Sequence, residues 1–114
     1  MNKQITFRHM DHSPVIEEHI HAQLEKINRI LEHEREPIYL HIVLDAERVH
    51  HHHIVEAGLK SPHYDLHVKR ENPDMYVAID EVLHVLYKNL QNAKREFVEK
   101  EHAGHRTLKR KEEE

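Results

Sequence analysis

The sequence predicts an α+β protein in which two helices lie side by side on one face of a four-stranded sheet, in the order β-α-β-β-β-α. Three observations lead to this prediction. Two segments repeat apolar residues every three or four positions, as helices with one buried face do. Four other segments alternate apolar and polar residues or carry short apolar runs, as strands do. Each predicted helix has a single apolar stripe, so the economical packing is a two-layer sandwich.

The first strand and the first helix are marked by their flanking residues. Ile5 and Phe7 alternate with polar neighbours and predict a strand that ends before Asp11. Ser13 and Pro14 then open a helix, because serine can accept from the free amides of the first turn and proline fits the first helical position. The apolar residues of this helix form one stripe: Ile16, Ile20, Leu24, Ile27 and Leu31.

The three following strands begin after Pro37. Apolar residues recur at every second position from Ile38 to Ala46, which is the clearest strand pattern in the chain. The opposite face of this strand is predicted to carry Tyr39, His41, Val43 and Asp45. An apolar run at residues 54–59 and an alternating run at residues 64–69 follow, so the three strands predict an antiparallel meander.

The last helix begins after Asn72, because Pro73 disfavours helical geometry at the residue before it and Asp74 can cap the first turn. It is predicted to continue to about Lys100. Its buried stripe is Ile79, Leu83, Leu86, Leu90, Ala93 and Phe97. No hydrophobic period continues beyond Gly104, so the chain is predicted to consist of a domain at residues 1–103 and a flexible charged tail at residues 104–114.

Composition excludes several classes of function. With 114 residues the chain has room for one core, and with no cysteine it has no disulfide, thiolate zinc site or thiol nucleophile. It has neither a signal-peptide pattern nor a membrane-spanning apolar run, so a cytoplasmic protein is expected. The net charge of -4 argues against general affinity for nucleic acids, although 15 histidines make the charge sensitive to pH.

Charged residues are segregated on the predicted helices. The last helix carries a polar stripe without a carboxylate, which consists of His84, Lys88, Gln91, Arg95 and His102. One flank of the first helix carries His19, Lys26, Arg29 and His33, and the other flank carries Glu17, Glu25 and Glu32. This pattern is typical of a solvated helix face, and it is equally what a phosphate-binding track across two helices requires.

Other candidate sites are weaker. The four consecutive histidines at residues 50–53 could ligate a metal or form a polar connector, and no second ligand cluster accompanies them. Helix capping and solvation account for Asp74, Asp80, Asp45 and Glu47, and two glycines are too few for a phosphate-binding loop. We therefore expect neither an enzyme nor a bound cofactor or metal.

A stretch at the start of the last helix resembles the signature of the bacterial ribosome hibernation promoting factor and ribosome-associated inhibitor family, whose members are also described as modulators of an alternative sigma factor. The matching residues are Asp74-Met75-Tyr76-Val77-Ala78-Ile79-Asp80, Leu83, Leu86, Lys88 and Leu90, with Ser13-Pro14-Val15-Ile16 and Leu24-Glu25-Lys26-Ile27 in the first helix. The resemblance covers residues 3 to about 100. It implies the same β-α-β-β-β-α fold and a non-enzymatic, monomeric protein. Such a protein binds the small ribosomal subunit and blocks the messenger RNA and transfer RNA sites under stress or in stationary phase.

The resemblance also implies a set of residues that bind ribosomal RNA. Lys26, Arg29 and Lys88 match positions that are usually basic in the family, and Lys94 is a weaker match. With Arg95 and His84 from the polar stripe, they complete the predicted RNA-binding set. Four residues stand where lysine or arginine is typical: Glu17, Gln23, Val85 and Asn92. Longer members carry a further C-terminal domain, so a chain that ends at Glu114 is expected to be a short form.

Two other functions remain open at this point. One is a protein-binding regulator of the same fold that acts on transcription or a sigma factor, with weak or pH-dependent RNA binding. The other is a histidine-dependent metal or pH buffer protein. Because His84, His102, His19 and His33 extend the basic residues of the two helices, mild acid is expected to strengthen any RNA binding.

Overall fold

The computed structural model describes the backbone of residues 1–47 and 52–103 and the side chains of residues 1–47 and 52–98. The predicted order of elements is confirmed. The elements are β1 (Asn2–Arg8), α1 (Pro14–Ile30) with a 3-10 turn (Leu31–His33), β2 (Tyr39–Ala46), β3 (His53–Lys60), β4 (Asp65–Asn72) and α2 (Met75–Ala103). The predicted tail at 104–114, and the part of the histidine run at 50–51, lie outside the described residues.

The sheet has the strand order β1-β2-β3-β4. β2, β3 and β4 pair antiparallel, which confirms the predicted meander. β1 pairs with β2 in parallel, from Asn2 opposite Tyr39 to Arg8 opposite Asp45. Parallel neighbours need a crossover connection, and α1 is that connection. The first helix therefore runs back along the sheet against the direction of β1.

Both helices cover the same face of the sheet. All five predicted stripe residues of the first helix are buried, and so are the first four of α2. Ala93 packs half-buried against the core, and Phe97 is half-buried with its ring centre 4.5 Å from that of His63. From the sheet the core takes Leu40, Ile42, Leu44, Val55, Ala57 and Leu59. Val43 lies on the opposite face and is nevertheless only 7% exposed. Thr6 and Glu56 flank Val43 in register on the two neighbouring strands, so a valine at the centre of the open face is shielded by them.

The predicted helix starts are confirmed by their hydrogen bonds. The Ser13 hydroxyl accepts from the Ile16 amide at 3.3 Å at the start of α1. Asp74 Oδ1 accepts from the Tyr76 amide at 2.9 Å and from the Val77 amide at 3.4 Å at the start of α2. Each side chain satisfies amides that have no partner inside the helix, which contributes about 1 kcal/mol per cap. Within the residues that the structure describes, neither helix has an apolar stretch long enough to cross a membrane.

Glu34, just after α1, anchors the turn between β3 and β4. Its carboxylate accepts hydrogen bonds from the Ser61 hydroxyl, the His63 amide at 3.2 Å and His63 Nδ1 at 2.7 Å. The side chain is 5% exposed. Burial opposes ionisation of this carboxyl, but the hydrogen bonds from His63, Ser61 and the amides of Arg35 and His63 outweigh it and lower the pKa from 4.5 to about 2.

The environment of Glu34 predicts how the free energy of unfolding depends on pH. The folded pKa of Glu34 lies below the unfolded value, so the carboxylate stabilises the fold above about pH 4.5, and this contribution disappears as the pH falls through about 2. We expect Glu34→Gln to lower the free energy of unfolding at pH 7 by about 2 kcal/mol. The difference from the unaltered chain should shrink between pH 5 and 2, measured by urea unfolding at each pH.

The matched control is Glu32→Gln, which removes an exposed carboxylate from the neighbouring 3-10 turn. It should change the free energy of unfolding by less than about 0.5 kcal/mol. If the difference in free energy of unfolding between Glu34→Gln and the unaltered chain stays constant over this pH range, the carboxylate has no such role.

Candidate nucleic-acid interface

The two helices of the layer run in the same direction. His19 Nε2 lies 2.8 Å from Asp80 Oδ1 near their N-terminal ends. Further along, Lys26 Nζ lies 5.8 Å from the centre of the Tyr87 ring. Near their C-terminal ends, Lys94 Nζ donates to the Ile30 carbonyl at 3.4 Å. Because successive residues of α1 meet successive residues of α2, the N-termini of both helices lie at one end of the layer.

The lysine and arginine residues are confined to the C-terminal half of α1 and to α2 from its middle onward. In α1 the lysine and arginine residues are Lys26 and Arg29, and in α2 the first is Lys88. Parallel packing brings these two halves together at one end of the helix layer. We call this the basic end and define it by Lys26, Arg29, Lys88, Lys94 and Arg95. Cations near helix C-termini also offset the negative end of the helix dipole, so the arrangement is stable without a ligand.

The structure places the six predicted RNA-binding residues on the helix layer. Lys26, Arg29, His84, Lys88 and Arg95 are exposed, and Lys94 is half-buried. None of the five lysine and arginine residues has a carboxylate within 4.0 Å among the described side chains, whereas Lys69 on the sheet lies 3.9 Å from Glu56. The exposed cations of the basic end, Lys26, Arg29, Lys88 and Arg95, are therefore available to an anionic partner, whereas Lys94 donates to the Ile30 carbonyl. His84 lies one turn before Lys88 and lengthens the exposed polar face of α2.

The N-terminal half of the layer differs in charge. Asp80 lies between the helices, where His19 Nε2 contacts its Oδ1 at 2.8 Å and Gln23 donates to the same oxygen at 3.3 Å. The edge of the His19 ring meets Tyr76, with ring centres 5.2 Å apart. His19 therefore lies against a carboxylate. The prediction that His19 extends the basic residues of the first helix needs this correction, whereas His84 and His33 are exposed.

Three of the four residues at which the resemblance predicts lysine or arginine are engaged within the fold. Glu17 Oε2 lies 2.7 Å from His12 Nε2, Gln23 contacts Asp80, and Val85 packs half-buried against the core. Only Asn92, of these four, is fully on the surface. Glu17, Gln23 and Val85 therefore contribute to hydrogen bonding or packing within the fold.

A groove opens between the C-terminal ends of the two helices, inside the basic end. Its volume is about 420 Å³, and its lining consists of Ile30, Gln91, Lys94, Arg95 and Val98.

Three residues of this region were not predicted from the sequence: Ile30, Val98 and Tyr87. Each follows or precedes a residue of the core stripe by one position, so an apolar or aromatic residue beside the stripe is the signal that could have identified them.

The described residues provide no metal centre. Among them, no three histidine, aspartate or glutamate side chains converge closely enough to hold a metal ion. The helix layer offers exposed positive charge and a groove that is lined partly by the apolar side chains of Ile30 and Val98, which is chemistry suited to an anionic partner with an apolar part.

Comparison with known families adds a match over most of the chain. Residues 3–97 match the family model described as sigma 54 modulation protein / S30EA ribosomal protein. Among curated proteins, none matches this sequence significantly.

Two solved structures share the fold. A ribosomal subunit interface protein from Coxiella burnetii superposes with a TM-score of 0.70 at 26% identity, over 83% of this chain and 99% of that one. The N-terminal domain of Protein Y from Thermus thermophilus superposes with a TM-score of 0.65 at 19% identity, over 81% of this chain and 98% of that one. At 19% identity, the likeness to the Thermus thermophilus domain concerns the fold alone.

Proposed function

Because the chain belongs to the sigma 54 modulation protein / S30EA ribosomal protein family, we propose that it is a cytoplasmic translation inhibitor that binds the small ribosomal subunit through the basic end. Bound there, it blocks the messenger RNA and transfer RNA sites and idles ribosomes under stress or in stationary phase. The observation that carries the proposal is the convergence of Lys26, Arg29, Lys88, Lys94 and Arg95 at one end of the helix layer. The ribosomal subunit interface protein from Coxiella burnetii, at 26% identity, supports the same partner.

Local charge explains how a chain with a net charge of -4 can bind RNA. Phosphate contacts act over about 10 Å or less at moderate salt, because the ions of the solution screen more distant charges. An RNA backbone at the basic end is therefore attracted by nearby lysine and arginine side chains more than it is repelled by carboxylates elsewhere. The acidic remainder of the surface disfavours other orientations, which gives the contact a direction.

The proposal predicts a definite dependence on salt. Each cation that neutralises a phosphate releases bound counterions, and about five such contacts would lower affinity by about 100-fold between 50 and 200 mM monovalent salt. Co-sedimentation with purified small subunits across this salt range measures the slope, with large subunits as the control. Absence of co-sedimentation at 50 mM salt would refute ribosome binding.

Blocking of the transfer RNA site is a separate step from ribosome binding, and it is measured separately. Transfer RNA binding to small subunits programmed with messenger RNA should fall as the protein is added, in proportion to its occupancy. Subunits that bind the protein and retain full transfer RNA binding would limit the proposed function to ribosome association.

A second candidate is a protein-binding regulator of the same fold. It is favoured by the exposed apolar side chains Val15, Tyr76 and Val77 in the first turns of the two helices, at the end of the layer opposite the basic end. Apolar side chains grouped in water are typical of protein-docking surfaces. An association with ribosomes that is independent of salt would favour this candidate over contact with RNA.

A further inference from the structure

We propose that the groove inside the basic end accepts one unstacked nucleotide of ribosomal RNA, with its base against Ile30 and Val98 and its phosphate on Arg95. The proposal rests on the proposed ribosome binding and assigns a subsite within it. A volume of about 420 Å³ lies in the range of pockets that enclose small organic groups.

The apolar part of the groove gives a base something to cover. Val98 is 38% exposed, although it is a large apolar side chain, and Ile30 is half-buried across the groove from it. Covering these side chains with the flat face of a base removes apolar surface from water, which favours binding whatever the identity of the base.

The amide of Gln91 gives the same base a hydrogen-bonding partner. Gln91 Nε2 donates to the Tyr87 hydroxyl at 2.9 Å, and this contact holds the amide in place along the groove. One amide hydrogen and the carbonyl oxygen are left for other partners. A group with a donor and an acceptor side by side can pair with the exposed edge of an unstacked base.

The charges of the groove suit a phosphate. The last carbonyls of α1 carry about half a negative charge, which would repel an anion, but Lys94 Nζ donates to the Ile30 carbonyl and offsets it. Arg95 is exposed and has no carboxylate within 4.0 Å among the described side chains, and a guanidinium can bind a phosphate through two parallel hydrogen bonds. None of the five lining residues is acidic.

These features together favour a nucleotide from a loop or single-stranded segment. The bases of a double helix are stacked and cannot enter a groove, whereas those of loops can be splayed out onto a protein. An acidic peptide would satisfy Arg95 but would leave the apolar side chains and the Gln91 amide without a matched partner. The occupant is therefore expected to combine a flat apolar group with a single phosphate.

The test uses a short single-stranded oligoribonucleotide with one 2-aminopurine and a matched oligomer that is abasic at that position. The full chain should bind the first about five-fold more tightly at low salt, with a change in 2-aminopurine fluorescence. Val98→Ser should remove this preference, and Val15→Ser, which changes an exposed valine at the other end of α1, should retain it. Arg95→Gln should weaken binding of both oligomers and reduce the salt slope by about one.

Several outcomes would overturn the proposal. They are equal affinity of the unaltered chain for the two oligomers, no binding of either at low salt, a preference that survives Val98→Ser, and displacement of the oligomer by an acidic peptide that binds more tightly. Matching circular dichroism of Val98→Ser and the unaltered chain shows that folding is intact. Co-sedimentation with small subunits separates the two proposals. If it occurs without a base preference, the groove assignment alone fails, whereas a base preference without co-sedimentation refutes ribosome binding alone.

Discussion

Reversing the charges of Lys26 and Lys88 together is expected to weaken association with small subunits by about 100-fold or more at moderate salt. The two side chains are exposed on neighbouring helices, and Lys26 lies over Tyr87, the residue next to Lys88. Lys26→Glu with Lys88→Glu removes two phosphate contacts and places two carboxylates against the RNA backbone. The slope of log affinity against log salt should also fall by about two. Both effects are measured by co-sedimentation across a salt series.

The matched control is Arg8→Glu with Lys60→Glu. It changes the net charge by the same amount, but both residues are exposed on the sheet face that the helices leave open, in register with Asp45 and Tyr39. This double variant should retain most of the affinity, because charges beyond the Debye length contribute little. An equal loss in both double variants would mean that total charge governs binding and that the basic end is not the contact surface.

Truncating the core under α2 is expected to have the largest effect on stability. Leu86 is 0% exposed and belongs to the cluster between the helices and the sheet. Leu86→Ala removes buried methyl groups and leaves a cavity that the neighbouring strands can only partly fill. The free energy of unfolding should fall by about 3 kcal/mol, as measured by urea denaturation.

Val77→Ala is the control for this experiment. Val77 is a large apolar residue of the same helix but is exposed, so the change should cost less than about 0.5 kcal/mol. Alanine has a higher helix propensity than leucine or valine, so comparable losses in the two variants would show that the burial of Leu86 does not account for its effect. The folded fraction of Leu86→Ala should still bind small subunits, because Leu86 does not reach the surface of the basic end.

Much of the fold could be predicted because its signals are local. The stripe from Ile16 to Leu31 and the alternation from Ile38 to Ala46 each reflect the period of one element, which does not depend on the rest of the chain. The same holds for Ser13 and Asp74, which cap amides within three residues of themselves. The burial of Val43 could not be predicted in this way, because it depends on Thr6 and Glu56, which lie on other strands.

The candidate interface could be predicted only in part. The cations Lys26, Arg29 and Lys88 stood out because the stripes that carry them lack carboxylates. The contact of His19 with Asp80 spans 61 positions, and that of Lys94 with the Ile30 carbonyl spans 64. Neither contact leaves a periodic signal in the sequence. The contacts in the N-terminal half of the helix layer and the groove therefore could not be predicted from the residue pattern.

The composition and periodicity of the chain establish its elements, their buried faces and the segregation of charge along each helix. Whether two basic halves cooperate is a different matter, because it depends on the relative direction of α1 and α2. That direction follows from hydrogen bonding between β1 and β2, which pair in parallel across 37 positions, from Asn2 to Tyr39. Had β1 paired antiparallel, α1 would be expected to run the other way and Lys26 would lie opposite the acidic half of α2. The basic end and its groove thus arise from non-local backbone pairing acting on charge patterns that the sequence already contains.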